Sequence, residues 1–507
     1  MTQPLDPVSE PKTDLRSQAV AGVFWTALQR WSVRASSFIG FLVLGRLLGP
    51  RDFGVVALAS TFIVLTTTLA DTGFATYLVQ AKELTEEAKA TAFYIATATG
   101  VLLFGLGCAL AFPLAAILHV PELRRVLPVL AVSLVFVGLS SVAVAMLTRE
   151  LQFQVLAMRQ VVATVLSVIT AIALALAGAG PWALVGQFLV LRLVTTVVLA
   201  LATDFRPRGR FSRTEAREIL SYSGKAMGAH LMFQASTQGE VLVIGAIAGP
   251  VALGIWTVAS RLVLVLVDLF GTVLGSVASP LFARVQSDGR RLGRAVSATA
   301  GMGTLVLAPV LACLALLSNE LIPHVFGSQW RAATGVAALL AIRAVFVALS
   351  QLDRSVLLNA GKAGGELRLI MLLTALHVGL VAALAGFGVK VVAAGLLVEA
   401  VLVAPVRPLL LHRWLSVPLT AYRGAISVLV ATFLSGGAVA AVLQLVDPDS
   451  LLVYPVVLVV GGLTYPLALL LLARPVVRET IATVRLFRQR GRPRASLLAQ
   501  EPVNDAP

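Results

Sequence analysis

The sequence predicts an all-α integral membrane protein: fourteen transmembrane helices in two pseudo-symmetric six-helix lobes, followed by two C-terminal helices. Three observations carry that fold class. Of 507 residues, 58% are hydrophobic and 13% charged, with a mean hydropathy of +0.91. Soluble domains carry about 25% charged residues, so lipid is the expected solvent. Apolar runs near the roughly 20 residues that cross a bilayer recur along the chain. Finally, two eighteen-residue stretches repeat one pattern: VLGRLLGPRDFGVVALAS at 43–60 and VIGAIAGPVALGIWTVAS at 243–260. They agree without a gap at Val43/Val243, Gly45/Gly245, Gly49/Gly249, Pro50/Pro250, Gly54/Gly254, Ala59/Ala259 and Ser60/Ser260.

Residues 1–17 read as a polar cytosolic tail, without the basic n-region and short apolar core of a removable signal. Spans at 18–44, 53–79, 89–113, 125–147, 153–177 and 181–202 make an N-lobe over 18–202. A basic cytosolic linker follows at 203–220. Its segment FSRTEAREIL has Ser212 three residues before Glu215, a capping-box pattern that predicts a short amphipathic helix on anionic headgroups. Spans at 221–247, 251–282, 295–317, 333–358, 367–386 and 389–411 make a C-lobe over 221–411. Accessory spans at 421–445 and 451–473 occupy 412–473, and a basic cytosolic tail covers 474–507.

An even number of spans puts both termini on one side. With that side cytosolic, 27 of the 40 basic residues fall in cytosolic segments, six in outer loops and seven within spans. Short loops obey such a bias, which orients the protein in the cytoplasmic (inner) membrane. The net charge of +15 is then an orientation signal and not a nucleic-acid footprint. Cys108 and Cys313 each lie in an apolar run and offer neither a metal spacing nor a disulfide framework.

Both copies of the repeat join two spans on the outer side, six spans apart. Duplications of this kind build transporters whose substrate site lies at the repeat interface. Locally the pattern is structural: proline suits the first helical turn, and Gly-x-x-x-Gly lets helices approach closely.

The same residues carry a family resemblance. LGRLLGPRDFGVVALASTF and ADTGFATYLVQAKELTEE, then LTRELQFQVLAMRQ at 147–160, GPWALVGQFLVLRLV at 180–194, RPRGRFSRTEAREILSYS at 206–223, EVLVIGAIAGPVALGIWTVASRL at 240–262 and ASPLFARVQSD at 278–288 run in one order. This set resembles Wzx-type polysaccharide biosynthesis proteins, the oligosaccharide-lipid flippases of the multidrug/oligosaccharidyl-lipid/polysaccharide flippase superfamily. The similarity covers residues 20 to roughly 410. It implies two six-helix lobes around a central cavity. It also implies movement of a sugar chain on undecaprenyl pyrophosphate from the cytosolic to the outer leaflet, for surface polysaccharide such as lipopolysaccharide or exopolysaccharide. The chain departs from the family pattern at 240, where Glu240 replaces the usual aspartate.

The candidate site residues are those that do not belong in lipid. A mid-helix arginine costs roughly 2.5–3.5 kcal/mol on insertion scales. Arg30 and Arg34 are four residues apart on one helix face. With Arg261 and Arg343 they are the expected pyrophosphate-binding set of the cavity, since guanidinium groups match phosphate oxygens. Pairing is the competing reading: Arg261 with Glu240 or Asp268, Arg354 with Asp353, and Arg30 with Asp71. Asp71, Glu240 and Asp268 are the candidates for ion coupling by a proton or sodium ion. His230 and His377 stand alone in apolar stretches and read as core residues.

No cofactor, metal or catalytic residue is expected. Both Gly-Lys pairs, at 224–225 and 361–362, are followed by alanine, so there is no phosphate loop. DPD at 447–449 reads as an outer turn. The chain is therefore expected to be a transporter and not a membrane enzyme. It is expected to act as a monomer among membrane lipids, with lipid-linked oligosaccharide as cargo and a polysaccharide polymerase or export machinery as partner. The alternative is a multidrug or small-cation exporter on the same fold, which would need acids and aromatics in its cavity.

Overall fold

Glycine, proline and capping side chains set where each helix begins and ends. The computed structural model describes residues 12–71, 77–79, 85–203, 205–207, 209–285, 288–445, 453–478 and 480. The described residues are helical and contain no strand. The DPD turn and nearly all of the basic tail lie outside them, as do the side chains of Asp71 and His230.

The first helices are α1 (Lys12–Leu47), α2 (Pro50–Asp71), α3 (Glu86–Ile117), α4 (Leu123–Arg149), α5 (Phe153–Leu176), α6 (Trp182–Ala202) and α7 (Arg213–Ile247). After them come α8 (Gly249–Val285), α9 (Gly289–Phe326), α10 (Ala333–Asn359), α11 (Ala363–Leu384), α12 (Val389–Val403), α13 (Val406–Leu415), α14 (Arg423–Leu443) and α15 (Val453–Leu472). Among the described residues, eleven helical segments are long and apolar enough to cross a membrane.

Two boundaries differ from the sequence expectation. Ser212 does cap a helix, its hydroxyl accepting from the Glu215 backbone N–H, but that helix runs unbroken for 35 residues to Ile247. No glycine-proline break separates FSRTEAREIL from the span that follows, so the surface segment and the span are one rod. Conversely, the window at 389–411 is two helices, because Pro405 lacks a backbone N–H and stands as the N-cap of α13.

Contacts divide the chain into two units. The first comprises Met1–Val258, Ile322–Ala333 and Leu376–Val392. Close helix approach depends on small residues here: Gly100 of α3 lies against the Leu134 carbonyl of α4, and Gly138 of α4 against the Ala96 carbonyl of α3. Gly40 of α1 meets Val168 of α5. The second unit comprises Ala259–Leu321, Thr334–Ala375 and Ala393–Pro507. Its core includes Phe282, Leu292, Val296, Leu357 and Leu411, and Ser435 of α14 hydrogen-bonds Thr464 of α15 at 2.7 Å.

Candidate substrate and coupling sites

The helical backbone brings Arg30 and Arg34 onto one face of α1, one turn apart, in the first unit. Arg30 is exposed, as is its neighbour Trp31. Arg34 is half-buried and engages a neighbour.

Arg261 and Arg343 belong to the second unit. Arg261 is exposed on α8, seven residues before the exposed Asp268, so the two share a face two turns apart. Arg343 sits in the middle of α10, where its Nε is buried without a hydrogen-bond partner. Among the described residues Arg343 makes no ion pair. A guanidinium N–H withdrawn from water and left unbonded costs free energy that only an acceptor can recover.

Glu240 is held by side chains from two other helices. It lies on α7, half-buried, and both carboxylate oxygens are engaged. Oε1 accepts the indole N–H of Trp256 from α8, and Oε2 lies 2.9 Å from Nε2 of His377 on α11. The side chains of Glu240 and His377 are 20% and 16% exposed. Gly239 lets α7 approach, with Val378 directly opposite. His377 is thus not an isolated core residue but the partner of Glu240, 137 residues away. Sequence reading missed both partners, because neither lies at a helical spacing from Glu240.

The pairing expected between Arg354 and Asp353 does not form. Neighbouring residues on a helix do not face each other. Asp353 instead accepts from the Tyr422 hydroxyl, while Arg354 Nε lies 3.9 Å from Glu366. Glu366 is buried and held by Arg407, with Nη2 at 2.8 Å and Nε at 3.4 Å from its two oxygens. Arg407 also donates to Ser350. Glu366 of α11 and Arg407 of α13 form a buried pair, which Ser350 of α10 joins by accepting from Arg407. Among the described residues no group of three or more His, Cys, Asp or Glu side chains is placed to hold a metal.

Long apolar helices that carry charged side chains between them define a multi-pass membrane protein. A family model described as polysaccharide biosynthesis protein matches residues 43–335, and the chain belongs to that family. It is 27% identical over 321 residues to the succinoglycan biosynthesis transport protein ExoT of Rhizobium meliloti (strain 1021), a match covering 63% of this chain and 65% of that one. The chain thus spans just under two thirds of that relative's length. It is also 24% identical over 351 residues to the teichuronic acid biosynthesis protein TuaB of Bacillus subtilis (strain 168), covering 69% and 73% of the two chains. To the lipopolysaccharide biosynthesis protein WzxC of Escherichia coli (strain K12) it is 22% identical over 334 residues, covering 65% and 67%.

Among solved structures, the fold is similar to that of the lipid II flippase MurJ in an inward closed conformation. The TM-score is 0.71 at 10% identity, covering 90% of this chain and 100% of that one. A multidrug resistance MATE family transporter of the MOP superfamily, in its inward-facing conformation, gives a TM-score of 0.59 at 16% identity, covering 76% and 94%. These two likenesses establish the fold.

Proposed function

We propose that this chain is a fourteen-span flippase that carries an undecaprenyl-pyrophosphate-linked oligosaccharide from the cytosolic to the outer leaflet of the inner membrane by alternating access. The spans fall into an N-lobe over 18–202, a C-lobe over 221–411 and accessory helices within 412–473, with both termini cytosolic. Arg30, Arg34, Arg261 and Arg343 receive the pyrophosphate. The observation that carries this reading is Arg343, a membrane-embedded guanidinium whose buried Nε lacks an acceptor. A phosphate oxygen is the acceptor that such a donor matches in charge and geometry. The lipid tail stays in the bilayer while the two lobes rock about the cavity. The protein acts as a monomer and hands its cargo to a polymerase.

Glu240 carries the coupling proton, relayed through His377. Both oxygens of Glu240 are engaged, so a change in its charge is felt on α7, α8 and α11 together. Asp71 and Asp268 are the secondary candidates for coupling. The rival exporter of cationic drugs is less favoured, because the intramembrane arginines outnumber the five intramembrane acids, seven to five.

The test is export of surface polymer in a strain that depends on this chain. Replacing Arg343 by alanine, or Arg30 and Arg34 together, should abolish polymer while the protein remains in the membrane at its normal amount. Normal polymer from these variants would remove the arginines from the pathway.

A further inference from the structure

Three joints of the first unit enclose a cavity of about 670 Å³. They are the start of α3, the turn from α4 to α5 and the exit from α6, which connectivity puts on one side of the membrane. In the orientation proposed above that side is cytosolic, so the cavity lies level with the inner-leaflet headgroups. Its volume is that of a small-molecule site, which runs from about 300 to 1,000 Å³.

Both signs of charge line the cavity: Glu86 and Lys89 from α3, Glu150 from the turn, and Arg206 beyond α6. Lys89 pairs with Glu86 at 2.7 Å and retains two further ammonium donors. Glu150 and Arg206 are placed differently, because neutral groups hold each of them. Gln152 donates to Glu150 Oε2 at 3.0 Å. Arg206 Nη1 closes the end of α6, donating to the carbonyls of Phe205 at 3.0 Å, Thr203 at 3.3 Å and Ala200 at 3.4 Å. Among the described residues neither Glu150 nor Arg206 makes an ion pair. A carboxylate and a guanidinium thus line one volume, each positioned and neither neutralised.

Those two charges fit opposite ends of a single guest. Phosphate oxygens match the guanidinium of Arg206 and the spare donors of Lys89, while an ammonium matches Glu150. Two acids facing two bases suit a guest that is neutral overall. Apolar surface continues from the same place. Phe205 lines the cavity and packs edge-on against Phe93 of α3, with centroids 6.0 Å apart. Phe93 in turn borders a groove of about 580 Å³ along α3, with Tyr94, Thr97, Val101 and Leu102. From Phe93 to Leu102 the helix rises about 13 Å, which carries the groove into the span.

We infer that cavity and groove together hold one aminophospholipid. Its phosphate sits on Arg206 and Lys89, its primary ammonium on Glu150, and one acyl chain along α3. A quaternary ammonium has no N–H to donate, so an ethanolamine head is selected over choline. A glycerol head leaves Glu150 without a cation. The guest also steadies the linker into α7, since Gly209 lies against the Glu86 carbonyl and the Ser212 backbone N–H donates to Thr91 at 3.0 Å. Only the choice of leaflet rests on the orientation proposed above.

The test titrates the purified full chain, in detergent, with ethanolamine, choline and glycerol phospholipids that share the same acyl chains. The ethanolamine lipid should raise the thermal midpoint, because a ligand of the folded state stabilises it. The other two should need about tenfold more lipid for the same shift, the effect of one charge-assisted hydrogen bond. Glu150→Gln, at an exposed turn position, should erase the preference for ethanolamine over choline. Should that variant fold poorly, the ranking of the three lipids on the parent decides alone. Phosphoethanolamine without acyl chains should give a smaller shift at equal concentration. Equal shifts from ethanolamine and choline lipids, a preference that survives in Glu150→Gln, or a full shift from phosphoethanolamine would overturn the inference. Binding is read without transport, so a chain whose loss leaves polymer intact would keep this site and retire the flippase reading.

Discussion

Trp330 donates its indole N–H to the carbonyl oxygen of Gly45 at 2.6 Å, across 285 residues of sequence. The ring is fully buried, edge-on to Phe53 with centroids 5.4 Å apart. Nearby, Gln329 donates to the Leu48 carbonyl at 3.2 Å and Arg46 to the His324 carbonyl at 2.7 Å. The end of α1 exposes carbonyls with no partner in their own helix, and Trp330 and Gln329 supply the donors.

Replacing Trp330 by phenylalanine keeps an aromatic ring against Phe53 and removes the donor. The Gly45 carbonyl is then left buried and unbonded, a loss of about 1–3 kcal/mol. The thermal midpoint of the purified protein in detergent should fall accordingly, and an unchanged midpoint would assign the bond no weight.

The Glu366–Arg407 pair should show the asymmetry of buried ions. Removing one partner, as in Glu366→Gln or Arg407→Met, leaves the other charge unpaired and costs about 3–5 kcal/mol. The combined Glu366→Leu, Arg407→Met chain should recover most of that loss. The same detergent melts compare all three variants. A double variant as damaged as the singles would show that Ser350 and Arg354 are the partners that matter.

If Glu240 and His377 relay a proton, collapsing the proton gradient should slow polymer export by the parent by about tenfold, close to 1.4 kcal/mol of activation free energy. Glu240→Gln and His377→Gln chains should export slowly with or without the gradient. Gradient-dependent export by either variant would take the coupling role away from this pair.

Asp288 caps α9 from outside the membrane span. Its Oδ1 accepts the backbone N–H groups of Arg291 at 3.1 Å and Arg290 at 2.9 Å, and the Arg291 bond leads in holding its carboxyl below the usual carboxylate range. A carboxyl lowered on folding stabilises the helix above its unfolded value, and that contribution disappears as pH falls through the lowered folded value. Hydrogen exchange in the first turn of α9 should therefore accelerate in acid, below the ordinary carboxylate range. In Asp288→Asn the acid dependence should flatten, because an amide oxygen still accepts but does not titrate. Equal acid dependence in both chains would place the titrating group elsewhere.

Much of this molecule is legible in one dimension. Apolar length finds the helices, Ser212 and Glu215 announce where α7 begins, and the duplicated Gly-Pro segments mark the two joints. These signals are local: a run, a cap, a repeat. What the sequence hides is long-range partnership. Nothing near His377 points to Glu240, and nothing near Arg407 points to Glu366, 41 residues away. The break between α12 and α13 is encoded by Pro405, yet hydropathy averages over it. Periodicity tells which residues share a face, but not which face meets which.

Helix α7 has a mechanical consequence of its own. At 1.5 Å per residue its 35 residues make a shaft of about 52 Å, against a hydrocarbon layer of about 30 Å. At any moderate tilt, several turns stand clear of the oily layer, and the helix is continuous from Arg213 to Ile247. A push on the end that carries Arg213 and Arg217 therefore travels along one continuous helix to Glu240, whose carboxylate holds Trp256 of α8 and His377 of α11.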